Sequence, residues 1–283
     1  MNNLGKYFKK FRESRHLTLK NIANESLSMA QLSRFENGTS DLTISKFLYS
    51  LNELNISLEE FMYAVNNHKM FSLNELLLKI NEYSTTRNDK ALKKLLNTQQ
   101  NITDKNKKLS NILIQICLYD LSGENLYTEE DIRYLSDYLL SIDDWGMYEL
   151  LLFSNSMKAM NHQTRMILLK EMNRRTDLYI NIPKYRRIIA SMNVNAYIYY
   201  IELEEWVDAH YFEKQLELAY FQEAEIYERL VFKYAKNFYK FKKFQNQKAL
   251  LEMRKCIELF QFVDSENLAE NFIVHLNKHL EHF

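Results

Sequence analysis

The side chains best suited to chemistry lie at the start of the chain. Residues 1–40 hold seven lysines and arginines (Lys6, Lys9, Lys10, Arg12, Arg15, Lys20 and Arg34) against three acids (Glu13, Glu25 and Glu36). An excess of four positive charges in so short a stretch is what a polyanion such as nucleic acid attracts, and because the whole chain is neutral the remainder carries four negative charges. Covalent chemistry finds no such foothold. The sequence has no nucleophile elbow, phosphate loop or paired-carboxylate motif, and four glycines in 283 residues leave little from which to build a loop that cradles phosphate. His275 and His279 stand at i, i+4, a spacing that can hold a metal ion, but the sequence places no third ligand near them, so the reading is no metal site and no cofactor. The chain reads as a binding protein and not as an enzyme.

The elements that would present the basic residues can be read from period and caps. A first helix over residues 4–14 puts Leu4, Phe8 and Phe11 inward and leaves Lys6, Lys9, Lys10 and Arg12 elsewhere on its surface. Thr18 can cap a short second helix with an apolar face of Leu19, Ile22 and Ala23. Ser28-Met29-Ala30-Gln31 then fits a capping box, so a third helix starts there. Its inward face requires Leu32 and Phe35, which leaves Met29, Ala30, Ser33 and Arg34 together on the outward side with Gln31 at the margin. Asn37-Gly38 stops this helix, glycine being free to take the left-handed conformation past a helix end. A fourth helix (Ile44, Phe47, Leu48, Leu51, Leu54) and a fifth opened by the box Ser57-Leu58-Glu59-Glu60 close a compact bundle near residue 66.

Composition makes the rest helical as well. Four glycines and the single proline, Pro183, supply almost none of the punctuation that strands and tight turns need, while 46% hydrophobic and 13% aromatic residues suffice for a sizeable core. The expected class is all-α. From about residue 71 the chain is a train of roughly eleven amphipathic helices, several opened by caps such as Ser72-Leu73-Asn74-Glu75 and Thr128-Glu129-Glu130-Asp131. An alanine recurs just inside helix starts: Ala209 and Ala249 lie 40 residues apart, and Ala91 precedes Ala209 by 118, close to three such intervals. The intervening positions fall near Ile132 and Met166, where helices also begin. A period near 40 with two helices per unit describes an α-solenoid of tetratricopeptide-like hairpins; the alternative is chance spacing in an ordinary bundle. Trp145 and Trp206 read as packing residues at helix starts. Cys117 and Cys256 lie far apart within apolar helical patterns and read as buried, unpaired thiols of a reduced, cytoplasmic protein, with redox sensing as the alternative. No apolar run approaches the roughly 20 residues that span a bilayer, so no membrane segment is expected.

The stretch LTLKNIANESLSMAQLSRFENGTSDLTISKFLYSLNELNISLEEF resembles the five-helix repressor-type helix-turn-helix of phage repressors and their bacterial relatives. That resemblance implies double-stranded DNA as a partner. Met29, Ala30, Ser33 and Arg34 would face base edges in the major groove, with Gln31 beside them; Asn37, Thr39 and the basic residues Lys9, Arg12, Arg15 and Lys20 would bind phosphate. The Arg34 fork suits a guanine, whereas Met29 and Ala30 suit thymine methyls. The competing reading pairs Arg34 with Glu13 or Glu36 on a solvated surface.

Taken with helical repeats that include WGMYELLLFSNSM, ASMNVNAYIYYIELEEW and ERLVFKYAKNFYKF, the whole chain resembles the Rgg/GadR/MutR family of Gram-positive regulators. The resemblance implies a DNA-binding domain over residues 1–66 and a helical-repeat regulatory and dimerisation domain over 67–283. It also implies a homodimer, with the helices from about Gln247 to Phe283 as a candidate seam, and control by a short hydrophobic signalling peptide of the quorum-sensing kind. An extended peptide has backbone donors and acceptors to satisfy, and asparagine offers both in one flat group. Asn155, Asn195 and Asn237 would hold such a backbone, Tyr197, Tyr200 and Phe238 would wall it, and Arg87 would take a carboxylate. The alternatives are a repeat domain that binds another protein or no ligand, and aromatic stripes that belong to the core.

Overall fold

The computed structural model describes residues 4–65, 76–77, 79–80, 82–83, 86, 88–99, 105–218 and 221–280. It divides into two compact units, Met1–Asn88 and Asp89–Phe283, and every regular element among the described residues is a helix. The expected cap at Ser72-Leu73-Asn74-Glu75 lies outside the described residues.

The first unit contains α1 (Leu4–Ser14), α2 (Leu19–Ile22), α3 (Met29–Glu36), α4 (Ile44–Glu53) and α5 (Leu58–Val65). Local hydrogen bonding fixes their ends. The Ser28 hydroxyl accepts from the Gln31 backbone N–H at 3.2 Å while the Ser28 N–H donates to Gln31 Oε1 at 3.1 Å, and Ser57 and Glu60 make the same exchange at 3.1 and 2.7 Å. At α2 the Asn21 carboxamide oxygen accepts from the Thr18 N–H at 2.7 Å. Past α3, the Gly38 N–H donates to Phe35 O and the Thr39 N–H to Arg34 O, both at 2.9 Å. With Gly38 at φ +72° this is a Schellman motif, which satisfies carbonyls that a helix end would otherwise leave unpaired.

Leu32 and Phe35, the inward residues of α3, are both buried. A row of phenylalanine rings then ties four helices together: Phe8 to Phe35 at 5.7 Å, Phe35 to Phe47 at 5.9 Å and Phe47 to Phe61 at 5.0 Å between centroids. Tilted and edge-on pairs of this kind contribute about 0.5–1.5 kcal/mol each beyond the area they bury. The position of α3 is therefore set by aromatic contacts to α1 and α4, and through α4 to α5.

Arg12 departs from the sequence reading, which put it on the surface of α1. It is buried, and its Nε and Nη2 donate to the two carboxylate oxygens of Glu36, each at 2.7 Å, while Nη1 donates to Leu17 O at 2.7 Å. Glu36 is buried as well. The cause is helical register: Arg12 stands four residues after Phe8 and so shares its core-facing row. A buried charge is tolerable only when paired and hydrogen-bonded, and the bidentate fork with Glu36 meets both conditions.

The second unit contains α6 (Asp89–Gln99), α7 (Lys105–Ser122), α8 (Glu129–Leu140), α9 (Met147–Ser156), α10 (His162–Arg175), α11 (Pro183–Glu202), α12 (Trp206–Leu218), α13 (Ile226–Phe244), α14 (Gln247–Phe262) and α15 (Glu266–Leu280). They form five successive helical hairpins, whose second helices α7, α9, α11 and α13 lie side by side in one row. The hairpins open at Asp89, Glu129, His162, Trp206 and Gln247, 33 to 44 residues apart, which scatters around the expected period of 40, and an alanine stands just inside three of these five starts. Ala209 and Ala249 are both buried near the starts of their helices. The expected box at Thr128 is made, with its N–H donating to Asp131 Oδ2 at 2.9 Å. Trp145 is fully buried just before α9 and its indole N–H donates to Leu139 O at 3.1 Å, as a packing residue should.

Between the third and fourth hairpins, Arg186 of α11 donates through Nη2 to Glu225 at 2.6 Å, with both side chains buried. The Arg186 hydrogen bond holds the Glu225 carboxyl below its ordinary range, against the opposing effect of burial, and the Gln222 N–H helps at 2.9 Å. A carboxyl whose folded pKa is depressed gives stability that is complete above its unfolded value and lost as pH falls towards the folded one. The denaturation midpoint of this unit should therefore fall as pH drops below about 4.5, and fall less steeply in Glu225→Gln, as followed by Trp145 and Trp206 fluorescence. An equal slope in both proteins would remove this pair as the cause.

Cys256 is buried and Cys117 half-buried, the latter more accessible than its apolar surroundings in sequence imply, and both are free thiols. Burial pushes each thiol up to about 11, so little nucleophilic thiolate exists near neutrality, which favours the packing role over redox sensing.

Candidate functional site

On the first unit, α3 presents an exposed face held from behind. Met29 is half exposed, Ala30 and Arg34 are exposed, and Gln31 and Ser33 are partly buried beside them. The two acids proposed as partners for Arg34 are taken elsewhere: Glu13 lies 3.9 Å from Lys9 and 3.7 Å from Arg12, and Glu36 is clamped by Arg12. Around this face, Lys9, Arg15, Lys20, Asn37 and Thr39 are exposed. The Arg15 guanidinium lies 5.8 Å from the centre of the Phe11 ring, and the Thr39 hydroxyl donates to Arg34 O at 3.0 Å. Lys46, in the first turn of α4, reaches Gln31 Oε1 at 3.4 Å and adds a cation that the sequence reading missed. The signal was its place one turn into the helix after the Schellman stop. Arg12 is withdrawn from the cation set because its donors point inward.

A short helix with a capped N-terminus, fixed rotationally by Leu32 and Phe35, has the dimensions of an element that enters a duplex major groove. Cations around it would meet phosphate, and the helix face would meet base edges.

The second unit separates the residues that sequence grouped together. Tyr197, Tyr200 and Phe238 are fully buried and belong to the core. Tyr197 stacks with Tyr239 and Tyr200 with Phe212. These rings cannot wall an open groove, because α11 is enclosed by neighbouring helices and buries residues around most of its circumference. Asn155 is exposed and its amide donates to Leu151 O at 2.8 Å; the Asn237 amide donates to Lys233 O at 2.9 Å. Both thus spend their amide donor on the preceding helical turn. Arg87 lies outside the described residues.

Asn195 is exposed and enters a groove of about 450 Å³ with Ser154, Met157, Lys158, Arg165, Leu169 and Tyr199. This groove combines apolar walls with two cations. Arg165, another residue the sequence reading missed, donates to Met157 O at 3.1 Å and to Met160 O at 3.0 Å and sits 5.0 Å from the Tyr199 ring centre, so its guanidinium is held in place. Lys158 is exposed and lies 3.1 Å from Asp120. Asn237 lines a different groove of about 520 Å³, rich in charge, with Lys233, Lys236, Lys240, Glu217 and Glu252. The three asparagines thus share a row of helices but do not line one cavity among the described residues.

Glu202, at the end of α11, stands beside the histidine pair, 2.9 Å from His279 Nε2 and 3.4 Å from His275 Nε2, a neighbour that spacing in sequence could not reveal. Among the described residues no helix is long and apolar enough to cross a membrane.

Residues 92–274 match the family model of the HTH-type transcriptional regulator Rgg, C-terminal domain. The SHP pheromone receptor Rgg2 of Streptococcus dysgalactiae is similar over 98% of this chain and 99% of its own, with 28% identity and a TM-score of 0.87. PrgX in its complex with cCF10 has the same fold over 98% of this chain and 99% of its own, with 15% identity and a TM-score of 0.77.

Proposed function

Since the chain belongs to the family of HTH-type transcriptional regulators defined by the Rgg C-terminal domain, we propose that α3 reads duplex DNA and that the helical repeats bind a short signalling peptide. The observation that carries the DNA half is the rigidly backed face of Met29, Ala30, Ser33 and Arg34, whose arginine forms no ion pair among the described residues, Glu13 and Glu36 being engaged elsewhere. Lys9, Arg15, Lys20, Lys46, Asn37 and Thr39 flank it as phosphate contacts. In this reading residues 1–66 are the DNA-binding domain and 67–283 the regulatory and dimerisation domain. The protein acts in the cytoplasm as a homodimer, with α14 and α15 as its seam, and carries out no catalysis.

The test is capture of genomic DNA fragments by the full-length protein, with wild type and Arg34→Ala sequenced in parallel. A few two-fold-symmetric sites should be enriched, since a symmetric dimer reads paired half-sites. Arg34→Ala should lower affinity for them by about 5- to 150-fold, the equivalent of about 1–3 kcal/mol for a bidentate base contact. A uniform loss over all sequences would make Arg34 a phosphate contact and overturn its role in base reading.

For the peptide half, the support is the groove at Asn195: apolar walls for side chains, a carboxamide for backbone, and the fixed cation of Arg165 for a carboxylate. The Rgg2 and PrgX structures, described as a pheromone receptor and as a complex with cCF10, agree with such a role. Fluorescence anisotropy with labelled short hydrophobic peptides should show Asn195→Ala weakening binding roughly fivefold and Arg165→Ala by tenfold or more, as neutral and charged hydrogen bonds differ. Unchanged affinity in both variants would move the site away from this groove.

A further inference from the structure

We propose that Glu202, His275 and His279 form a divalent-metal site suited to zinc, and that the bound ion fastens α15, the last helix of the solenoid, to the end of α11. One ligand atom from each residue lies within 4.8 Å of the other two. Ligands around a tetrahedral zinc stand about 3.3 Å apart when each bond is about 2.0–2.1 Å, so the 2.9 and 3.4 Å separations from Glu202 Oε1 need only small adjustments.

Three observations favour an ion over a closed hydrogen-bond cluster. His275 Nε2 is buried and, although it lies 3.4 Å from Glu202 Oε1, makes no hydrogen bond of good geometry there, and a buried polar atom so weakly satisfied calls for explanation. The opposite ring nitrogen is already held: Tyr234 Oη lies 2.8 Å from His275 Nδ1 and 3.5 Å from Phe272 O. A relay from Nδ1–H to the tyrosine oxygen, and from its hydroxyl to the carbonyl, leaves the Nε2 lone pair free on the side of the ring near Glu202. That is the outer contact which metal-bound histidines characteristically make. Finally, the Phe238 ring lies 4.8 and 4.9 Å from the two imidazoles, giving the site a dry wall on one side.

The competing cation is Lys278, whose Nζ stands 3.4 Å from Glu202 Oε1. Its side chain is 64% exposed and can swing to solvent at little cost, whereas the histidines are fixed by packing. Two imidazoles and one carboxylate leave the fourth zinc position to water.

The experiment uses the full-length protein, stripped with a chelator and titrated with zinc chloride by calorimetry. Cobalt(II) serves as a spectroscopic probe of coordination. One zinc per chain at micromolar affinity or better, a raised thermal midpoint and cobalt absorption bands of a four- or five-coordinate site are the expected results. Glu202→Gln should abolish them, and Tyr234→Phe should weaken zinc by about 10- to 100-fold, the usual effect of losing an outer partner. Circular dichroism of both variants should stay unchanged, which separates loss of the site from loss of the helix. Absence of binding at about 100 μM zinc, a weak regime, would overturn the proposal. So would binding that is the same in wild type and both variants, which would place the ion at other histidines.

Discussion

Arg12→Ala is expected to destabilise the first unit by roughly 3–5 kcal/mol, the range found when one partner of a buried ion pair is removed. The number follows from what is left behind. Glu36 would remain buried as a carboxylate with neither of its two 2.7 Å bonds, and Leu17 O would lose its donor at 2.7 Å. Had Arg12 been the exposed cation suggested by sequence, truncation would cost about 0–1 kcal/mol, so the measurement separates the two placements clearly. Because both tryptophans, Trp145 and Trp206, lie in the second unit, their fluorescence is blind to this change. Hydrogen exchange of α1 and α3 amides is the suitable readout. A double change, Arg12→Met with Glu36→Leu, should recover most of the loss, since an apolar pair leaves no charge unpaired. Failure of that recovery would indicate that the fork also sets the angle between α1 and α3.

The same residues show how far sequence could reach. The helices of the first unit were legible because their ends are local: a serine three residues before glutamine or glutamate, and glycine after asparagine, act within one turn. Arg12 and Glu36 carried a readable signal as well. Each stands four residues after a core residue, Phe8 or Leu32, and opposite charges on two core-facing rows are a pair in waiting. The second unit was legible as a repeat because the hairpin spacing recurs. Its site residues were less so. On α11, apolar residues occur all around the helix, so period cannot distinguish a groove wall from a core residue, and Tyr197 was placed on the wrong side of that division. Arg165 and Glu202 gain their meaning from residues on other helices, 77 positions away in the case of Glu202 and His279. Contacts of that range leave no trace in a spacing.

Gly5→Ala should produce the second large effect, and for a reason composition alone hides. A Cβ on Gly5 would lie 1.8 Å from Phe35 O, 2.6 Å from Phe35 C and 3.0 Å from Glu36 Cα. All three are backbone atoms of the last turn of α3, so no rotamer change can relieve the clash. Alanine gains about 0.5–1 kcal/mol over glycine within a helix, but overpacking a tight contact typically costs about 1–3 kcal/mol and sometimes more. With rigid backbone on the far side, the upper end applies, for a net loss of about 2–3 kcal/mol. Moving α1 away to make room would also break the Phe8 to Phe35 contact at 5.7 Å and pull on the Arg12 fork. The face of Met29, Ala30, Ser33 and Arg34 should then lose its fixed orientation, and affinity for DNA should fall although Gly5 touches none. Gly146→Ala is the control: its nearest contact would be the flexible Glu149 carboxylate at 3.4 Å, and it should be close to neutral. Wild-type protection of α3 amides in Gly5→Ala would mean that α1 and α3 can separate freely, and that the close approach at Gly5 does not hold the recognition helix in place.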